Sequence, residues 1–311
     1  MSLGILCSGQ GRQGPGMLDL LRQEPVAQAV LDRAAGLMGR DLRALVAGPE
    51  AEMQRNAIAQ PLLCAVQAAT WAALRPHLPP LRAVAGYSLG ELSAYHVAGA
   101  LDAEELIRLA IRRADAMDGA DPEPGGLLAV RGIDRSRLAA VCRDCESDIA
   151  IENGTDRFVV GGHRTALVAV EQAVIALGAA VTPLPVTIAS HTRLMAPAAV
   201  GFAPILAASG LHAPPLPVLA GIDGTPVYTR ERAVAALTRQ MMETISWAVC
   251  LDGLIEMGCT VLLEIGPGNA LARMAAERYP GLPVRAAADF RGLSGAVTWV
   301  ERQLGRSAGW G

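Results

Sequence analysis

Aromatic side chains are scarce. Phe, Tyr and Trp together make up 4% of the 311 residues, so the core has to be built from Ala, Leu and Val. Charge is also thin, at 18%, and the net value of −3 includes no basic surplus, which argues against nucleic-acid binding as the main role. Of the six cysteines only Cys142 and Cys145 form a CxxC. No second CxxC or CxxH completes a zinc set, and two ordinary reduced thiols are the simpler reading. No charged n-region or h-region precedes Leu3-Gly4-Ile5-Leu6-Cys7, so no signal peptide is expected. The longest apolar stretches are broken by Gln67, Arg75, Glu171 or Gln172. No membrane span is therefore expected, and the cytoplasm is the expected location.

Hydrophobic residues reach 51%, enough for one large domain with an insertion or for two domains. A short apolar run, Leu81 to Ala85, ends in Gly86-Tyr87-Ser88-Leu89-Gly90, and a helical pattern begins at Glu91. Strand, turn and helix in that order are the context of a nucleophile elbow. The two glycines clear the space where strand and helix meet, Ser88 sits on the corner, and the Leu89 N–H faces the same space at a helix N-terminus. The pattern alone is weak in a chain with 33 glycines; its context strengthens it. Gly9-Gln10-Gly11-Arg12-Gln13-Gly14 is a formal GxGxxG, but Val26 to Met38 reads as a helix where a dinucleotide fold needs a strand ending in an acid. Its glycines still let backbone N–H groups turn toward a ligand.

Further along, Gln60-Pro61 reads as the opening of a helix to about Leu74. Asp102-Ala103-Glu104-Glu105 reads as a capped start of a helix to about Met117. At 100° per residue Arg113 falls on the apolar side with Leu106, Ala110 and Met117, while Arg108, Arg112 and Asp115 lie opposite. Such an arginine either snorkels from the stripe's edge or faces a cavity, where its guanidinium suits a carboxylate. After a linker-like Asp121 to Gly126 the pattern changes to strand, helix, two strands, helix, strand through about Val186, a βαββαβ order expected of a ferredoxin-like unit. Alternating strands and helices then resume. The economical architecture is a discontinuous α/β core, 1–123 and 188–304, with the subdomain inserted at 124–187 and a frayed tail at 305–311.

A serine nucleophile needs a base, most often His. His96 lies eight residues beyond Ser88 on the same helix, about 12 Å along its axis and out of reach. His77 and His212 stand beside prolines in surface connections, and His163 belongs to a subdomain loop that remains a candidate. His191, at the seam where the insertion rejoins the core, is the better placed; the plainer reading is an ordinary loop histidine. More than a hundred residues follow it, unlike the Ser…Asp/Glu…His order of an α/β-hydrolase. A Ser–His dyad oriented by a backbone carbonyl fits better.

Together these motifs resemble the malonyl-CoA:acyl carrier protein transacylases over nearly the whole chain. Gly9-Gln10-Gly11-x-Gln13, Gln60-Pro61, Gly86-x-Ser88-Leu89-Gly90-Glu91, the Arg113 helix, Ser190-His191 and Glu264-Ile265-Gly266-Pro267-Gly268 occur in that family's order. The resemblance implies an α/β-hydrolase-like core with a parallel sheet and the inserted ferredoxin-like subdomain. It implies Ser88 as nucleophile, His191 as base, Arg113 as malonyl clamp, Gln60 in the pocket wall, and the N–H groups of Gln10 and Leu89 as oxyanion hole. Its substrates would be malonyl-CoA and an acyl carrier protein with a phosphopantetheine-type arm. Coenzyme A enters only as the substrate thioester, with no permanently bound cofactor, no metal, and neither nucleic acid nor membrane as partner. Two positions depart from the pattern. Tyr87 stands where the family usually has His, which resembles the branch serving malonate decarboxylase and implies that enzyme's other subunits as partners. Ser246-Trp247 stands where a Gln-Trp pair is common, so Ser246 is expected to supply the carbonyl that orients His191. A serine hydrolase or thioesterase, a transacylase of fatty-acid or polyketide synthesis, and a non-catalytic carrier-docking subunit are the alternatives.

Overall fold

Two β-sheets organise the chain in the computed structural model, which describes residues 2–120 and 123–305. The first part contains β1 (Leu3–Cys7), α1 (Pro25–Met38), α2 (Leu42–Ala47), α3 (Glu50–Gln54), α4 (Asn56–Leu74), β2 (Leu81–Gly86), α5 (Gly90–Val97) and α6 (Ala103–Asp118). Next come β3 (Gly125–Arg131), α7 (Arg135–Asp144), β4 (Asp148–Glu152), β5 (Arg157–His163), α8 (Arg164–Ala176) and β6 (Ala180–Pro183). The last part contains α9 (Ala196–Ala208), β7 (Val218–Leu219), β8 (Pro226–Val227), α10 (Arg230–Arg239) and β9 (Ile245–Ser246). It ends with α11 (Trp247–Glu256), β10 (Val261–Ile265), α12 (Ala270–Arg278), β11 (Val284–Ala286) and α13 (Leu293–Gln303). Of the expected linker at 121–126, Asp121 and Pro122 lie outside the described residues and Gly125 and Gly126 already belong to β3; of the expected tail at 305–311, all but Gly305 lies outside them.

The larger sheet has the order β11-β10-β1-β2-β7-β8 and is parallel from β11 to β7, with β8 antiparallel at the edge. Leu3–Cys7 and Val261–Ile265 are buried along their whole length and apolar except at Glu264, as a parallel strand covered on both faces requires. Register decides where a site can form. Cys7 pairs with Ile265 on one side and Gly86 on the other, so three carboxyl-end loops begin side by side: Ser8 onward, Tyr87 onward and Gly266 onward.

The smaller sheet has the order β6-β3-β5-β4-β9, its first four strands antiparallel. Its elements run β-α-β-β-α-β from Gly125 to Pro183, around a core of Leu128, Val130, Leu138, Phe158, Val160, Val170 and Val174. A strand not foreseen in the sequence completes it. β9, from the last part of the chain, pairs in parallel with β4 (Ile151 with Ile245, Glu152 with Ser246), so a backbone ladder ties the inserted segment to the core.

One sequence expectation changes at α4. The helix starts at Asn56, so Gln60 and Pro61 lie in its second turn; Pro61 does not occupy the first position and removes one intrahelical hydrogen bond near the start. The segment Asn56–His77 is also long and apolar enough to cross a membrane, yet it is mostly buried within the fold, packed against α1 and α6. It is the central helix of the larger core. Its polar Gln67 is buried because its Nε2 donates to the Ser8 carbonyl (2.6 Å) and to Ser8 Oγ (3.1 Å), fixing the loop after β1.

Glu91 fixes the helix after β2. Its Oε2 accepts the Gly221 N–H at 3.0 Å, linking α5 to the turn beyond β7, and the side chain is fully buried. Burial pushes its carboxyl up to about 8. The folded state therefore holds a proton that the unfolded chain releases near its ordinary pKa of about 4.3, so this group makes stability fall as pH rises through that window. Glu91→Gln should remove the dependence. In urea unfolding at a series of pH values, the variant should gain on the parent by on the order of a few kcal/mol between about pH 5 and pH 8. A constant difference would contradict the buried neutral carboxyl.

Candidate active site

At the end of β2 the chain turns through Ser88 with φ of +55°, a left-handed conformation unusual for a residue with a Cβ. Crowding enforces it. A Cβ on Gly86 would overlap the Gly90 carbonyl and the Glu91 nitrogen, and one on Gly90 would overlap the Cys7 carbonyl. Both glycines are thus needed for α5 to start directly above the strands. The turn is tied by Tyr87 N–H to the Cys7 carbonyl (3.0 Å) and Glu91 N–H to the Ser88 carbonyl (3.0 Å). Among the described residues the N–H groups of Gln10 and Leu89 make no hydrogen bond within the protein. Leu89 lies at the amino end of α5, and Gln10 in the neighbouring loop after β1.

His191 lies in the segment between β6 and α9, itself at a positive φ of +64° and buried, with its N–H donating to the Met241 carbonyl at 2.9 Å. Its Nε2 is 2.7 Å from Ser88 Oγ. Its Nδ1 faces the carbonyl of Gln240, which can only accept, so Nδ1 carries the proton and Nε2 presents a lone pair to the serine. Burial, followed by the positive charge of Arg113, pushes the imidazole down to about 3, against a smaller opposing contribution from the Gln240 carbonyl. The ring is neutral at physiological pH, as a proton acceptor must be.

The orienting carbonyl is therefore Gln240's, which corrects the expectation placed on Ser246. Ser246 ends β9, where its N–H is held by the Gly221 carbonyl at 2.7 Å, and it is the N-cap of α11. Gln240 follows α10 as its C-cap and is fully buried. It also reaches the nucleophile: its Nε2 donates to the Ser88 carbonyl at 3.3 Å. No signal in the sequence marks it, because the group that orients His191 is a backbone carbonyl. His96 turns away, its Nδ1 against the Leu101 carbonyl at 2.8 Å, and His163 ends β5 beside Glu123.

Arg113 points inward from α6 and is 2% exposed, which excludes a side chain snorkelling from the stripe's edge to solvent. One nitrogen, Nη1, donates to Gln60 Oε1 at 2.8 Å, while Nε and Nη2 are buried without a partner among the described residues. Burial lowers its pKa to about 10, leaving it cationic at neutral pH. Gln60, fully buried in α4, thus touches Arg113 directly. A buried cation with two unpartnered nitrogens close to a Ser–His pair is an unfinished binding site for an anion.

Tyr87 packs edge-on against Trp247, ring centroids 5.3 Å apart, and forms part of a cavity of about 400 Å³ between the two sheets. Gln10, Asn153, Phe158, Leu184 and Met274 also line it. Arg12, Arg131, Arg157 and Arg273 stand around it, and all but Arg157 make no ion pair among the described residues. An apolar slot with cationic walls, next to the Gln10 loop and the elbow, suits a long, partly apolar arm ending in phosphate.

Comparison with known proteins agrees with this geometry. Residues 5–282 match the acyl transferase domain model. The malonyl CoA-acyl carrier protein transacylase of Salmonella typhimurium is 32% identical over 302 residues, covering 93% of this chain and 97% of that protein. The protein of the same name from Mycobacterium bovis is 32% identical over 298 residues, covering 91% and 95%. Among solved structures, the acyl-carrier-protein S-malonyltransferase of Burkholderia pseudomallei superposes with a TM-score of 0.90 at 29% identity, covering 96% of this chain and all of that one. A malonyl-transacylase solved in complex with a type II polyketide synthase acyl-carrier protein gives 0.90 at 31% identity, covering 97% and 100%. With the acyl transferase domain spanning most of its length and relatives matched nearly end to end, this chain belongs to the malonyl CoA-acyl carrier protein transacylase family.

Proposed function

We propose that this protein moves a malonyl group from malonyl-CoA to the phosphopantetheine-type thiol of an acyl carrier protein, by a ping-pong route through malonyl-Ser88. The observation that carries this reading is Arg113: a buried guanidinium with Nε and Nη2 unpartnered, near enough to the dyad for its charge to depress His191. A free carboxylate on the acyl group is the ligand such a cation accepts, in a bidentate pair.

The first half-reaction begins with His191 Nε2 taking the Ser88 proton as Oγ attacks the thioester carbonyl carbon. The N–H groups of Gln10 and Leu89 hold the resulting oxyanion, and Gln240 keeps the imidazole in the required tautomer. The C–S bond then breaks, and the sulfur leaves with the proton from Nε2 as coenzyme A. In the second half the carrier thiol gives its proton to Nε2 and its sulfur attacks the malonyl-serine carbonyl. Ser88 Oγ leaves and recovers the proton. The slot walled by Arg12, Arg131 and Arg273 takes the arm of each thiol substrate in turn, no other cofactor being bound. The Gly86-Tyr87-Ser88 elbow, which resembles the branch that serves malonate decarboxylase, supports malonate decarboxylation as the pathway.

Incubation with malonyl-CoA should add one malonyl mass to the intact protein, lost in Ser88→Ala; rapid turnover to free malonate without that adduct would mark a hydrolase instead. Arg113→Ala should lower kcat/KM for malonyl-CoA by about 100-fold while changing that for acetyl-CoA less than about tenfold. Unchanged malonyl selectivity in that variant would reject the clamp.

The depressed histidine gives a pH dependence of definite sign. His191 must be unprotonated to act, and with its pKa near 3 it stays so far below the ordinary value of about 6.5. The kcat/KM for malonyl-CoA should stay flat from about pH 8 down to about pH 5. An acid limb centred near pH 6.5 would show an ordinary, solvated imidazole. Pathway is tested by offering two holo-carriers. Transfer to the carrier subunit of a malonate decarboxylase should exceed transfer to a fatty-acid carrier by about tenfold or more, which is about 1.4 kcal/mol. The reverse order would assign the protein to fatty-acid or polyketide synthesis.

A further inference from the structure

Behind Arg113 the buried polar side chains form a line with a single allowed direction. Arg113 Nη1 donates to Gln60 Oε1 at 2.8 Å. Gln60 Nε2 donates to Asn56 Oδ1 at 2.7 Å, and also lies 3.3 Å from Met117 Sδ. Asn56 Nδ2 donates to Asp118 Oδ1 at 2.9 Å and to the Ala114 carbonyl at 3.3 Å. At one end stand two atoms that can only accept, a carboxylate and a backbone carbonyl; at the other stands a guanidinium, which can only donate. Each amide between them has one donor side and one acceptor side, so neither can flip without setting donor against donor or acceptor against acceptor. Asn56 is 6% exposed and Gln60 is fully buried, so water offers no relief from such a mismatch.

Asn56 also reaches the other half of the site. Its Oδ1 is 3.5 Å from Gln10 Nε2, the side chain of the residue whose backbone N–H is proposed above for the oxyanion hole. One asparagine, on the first turn of α4, therefore contacts the C-terminal part of α6, the residue holding Arg113, and the loop after β1.

We propose that Asn56 is a positioning residue for acyl selectivity. Anchored by Asp118 and the Ala114 carbonyl, it sets the amide orientation of Gln60, which holds Arg113 by Nη1 alone and leaves Nε and Nη2 for the substrate carboxylate. The inference rests on the clamp reading of Arg113 and adds a residue that touches neither substrate nor reacting atoms. Selectivity follows from the geometry. If the amide of Gln60 turned its NH₂ toward Arg113, two donors would oppose each other and the guanidinium would have to rotate away. A malonyl group would lose its partner, whereas an acetyl group, which needs no clamp, would lose little.

The test compares Asn56→Thr with Asn56→Val, side chains of nearly equal shape that differ by one hydroxyl. A threonine hydroxyl can accept from Gln60 and donate to the Ala114 carbonyl; valine can do neither. With malonyl-CoA and acetyl-CoA as probes, Asn56→Val should lower the malonyl-to-acetyl ratio of kcat/KM about tenfold, and Asn56→Thr should keep it within about threefold of the parent. If both rates fall together in Asn56→Val at constant ratio, or if Asn56→Thr is as unselective as Asn56→Val, the proposal is overturned. Should Asn56→Val fail to fold, Asp118→Ala at the exposed end of the line is read instead. A drop in the ratio of about threefold or more supports the relay, and an unchanged ratio rejects it. Arg113→Ala separates the two levels. If that variant loses selectivity while the Asn56 variants keep it, the relay alone falls; if the parent shows no malonyl preference at all, the clamp falls and takes the relay with it.

Discussion

The contact between α5 and the ends of β1 and β2 is the constraint on which the site depends. Gly90 lies against the Cys7 carbonyl, and Gly86 lies against Gly90, with no room for a methyl group at either place. Helix and sheet can approach this closely only if the connecting residue takes a left-handed conformation, and that residue is Ser88. A side chain in this region costs on the order of 1–3 kcal/mol. The burial of Leu89 and, on α5, of Leu92 and Tyr95 offsets that cost, and Gln240 braces the strained peptide by donating to the Ser88 carbonyl. The return is position. The hydroxyl stands clear of the backbone, the amino end of α5 lies beneath it, and the register of β1 with β2 and β10 sets the Gln10 loop and the Gly266 loop alongside.

Much of this was legible in the sequence, for a physical reason. Close helix–strand contact demands glycine at two fixed positions, and the pattern Gly86-x-Ser88-x-Gly90 shows it directly. The period of α6 put Arg113 among Leu106, Ala110 and Met117, and the structure buries it there. The β-α-β-β-α-β order from Gly125 was readable because each element carries its own period and turn residues. What failed was information that side chains do not carry. The orienting carbonyl belongs to the backbone, and any residue has one, so the identity of Ser246 or Gln240 could not decide between them; only the path of the chain after α10 does. The start of α4 was misplaced because Pro61 looks like a first-turn proline, while the true start at Asn56 lacks any side-chain cap to announce it. β9 has two residues and no periodicity to read.

Tyr87 shows the same division. From sequence it was a departure between glycine and serine and a hint of pathway. In the fold it is a wall: its ring meets Trp247 edge-on, its backbone carbonyl leaves no space for a side chain at Gly9, and its other side lines the slot beside Asn153. Burial raises its phenol to about 12, so it stays uncharged at physiological pH.

Electrostatics then link the clamp to the base. Among the buried groups near Ser88, Glu91 is held neutral, His191 is held neutral, and Arg113 keeps its charge with no carboxylate to balance it. The free site is thus cationic in a region of low effective dielectric, where a charge a few ångströms away is felt strongly. Burial is the larger cause of the low basicity of His191, and Arg113 is the second. On the clamp reading, a bound malonyl carboxylate cancels the second cause and leaves the first. The imidazole becomes a stronger base only when an acyl group bearing a carboxylate is in place, so recognition of the substrate's remote end is felt at the atom that takes the serine proton. An uncharged acyl group of the same size fills the space and leaves the base weak. Selectivity on this account is expressed in the rate of acylation as well as in binding, because one guanidinium faces both the carboxylate and the histidine.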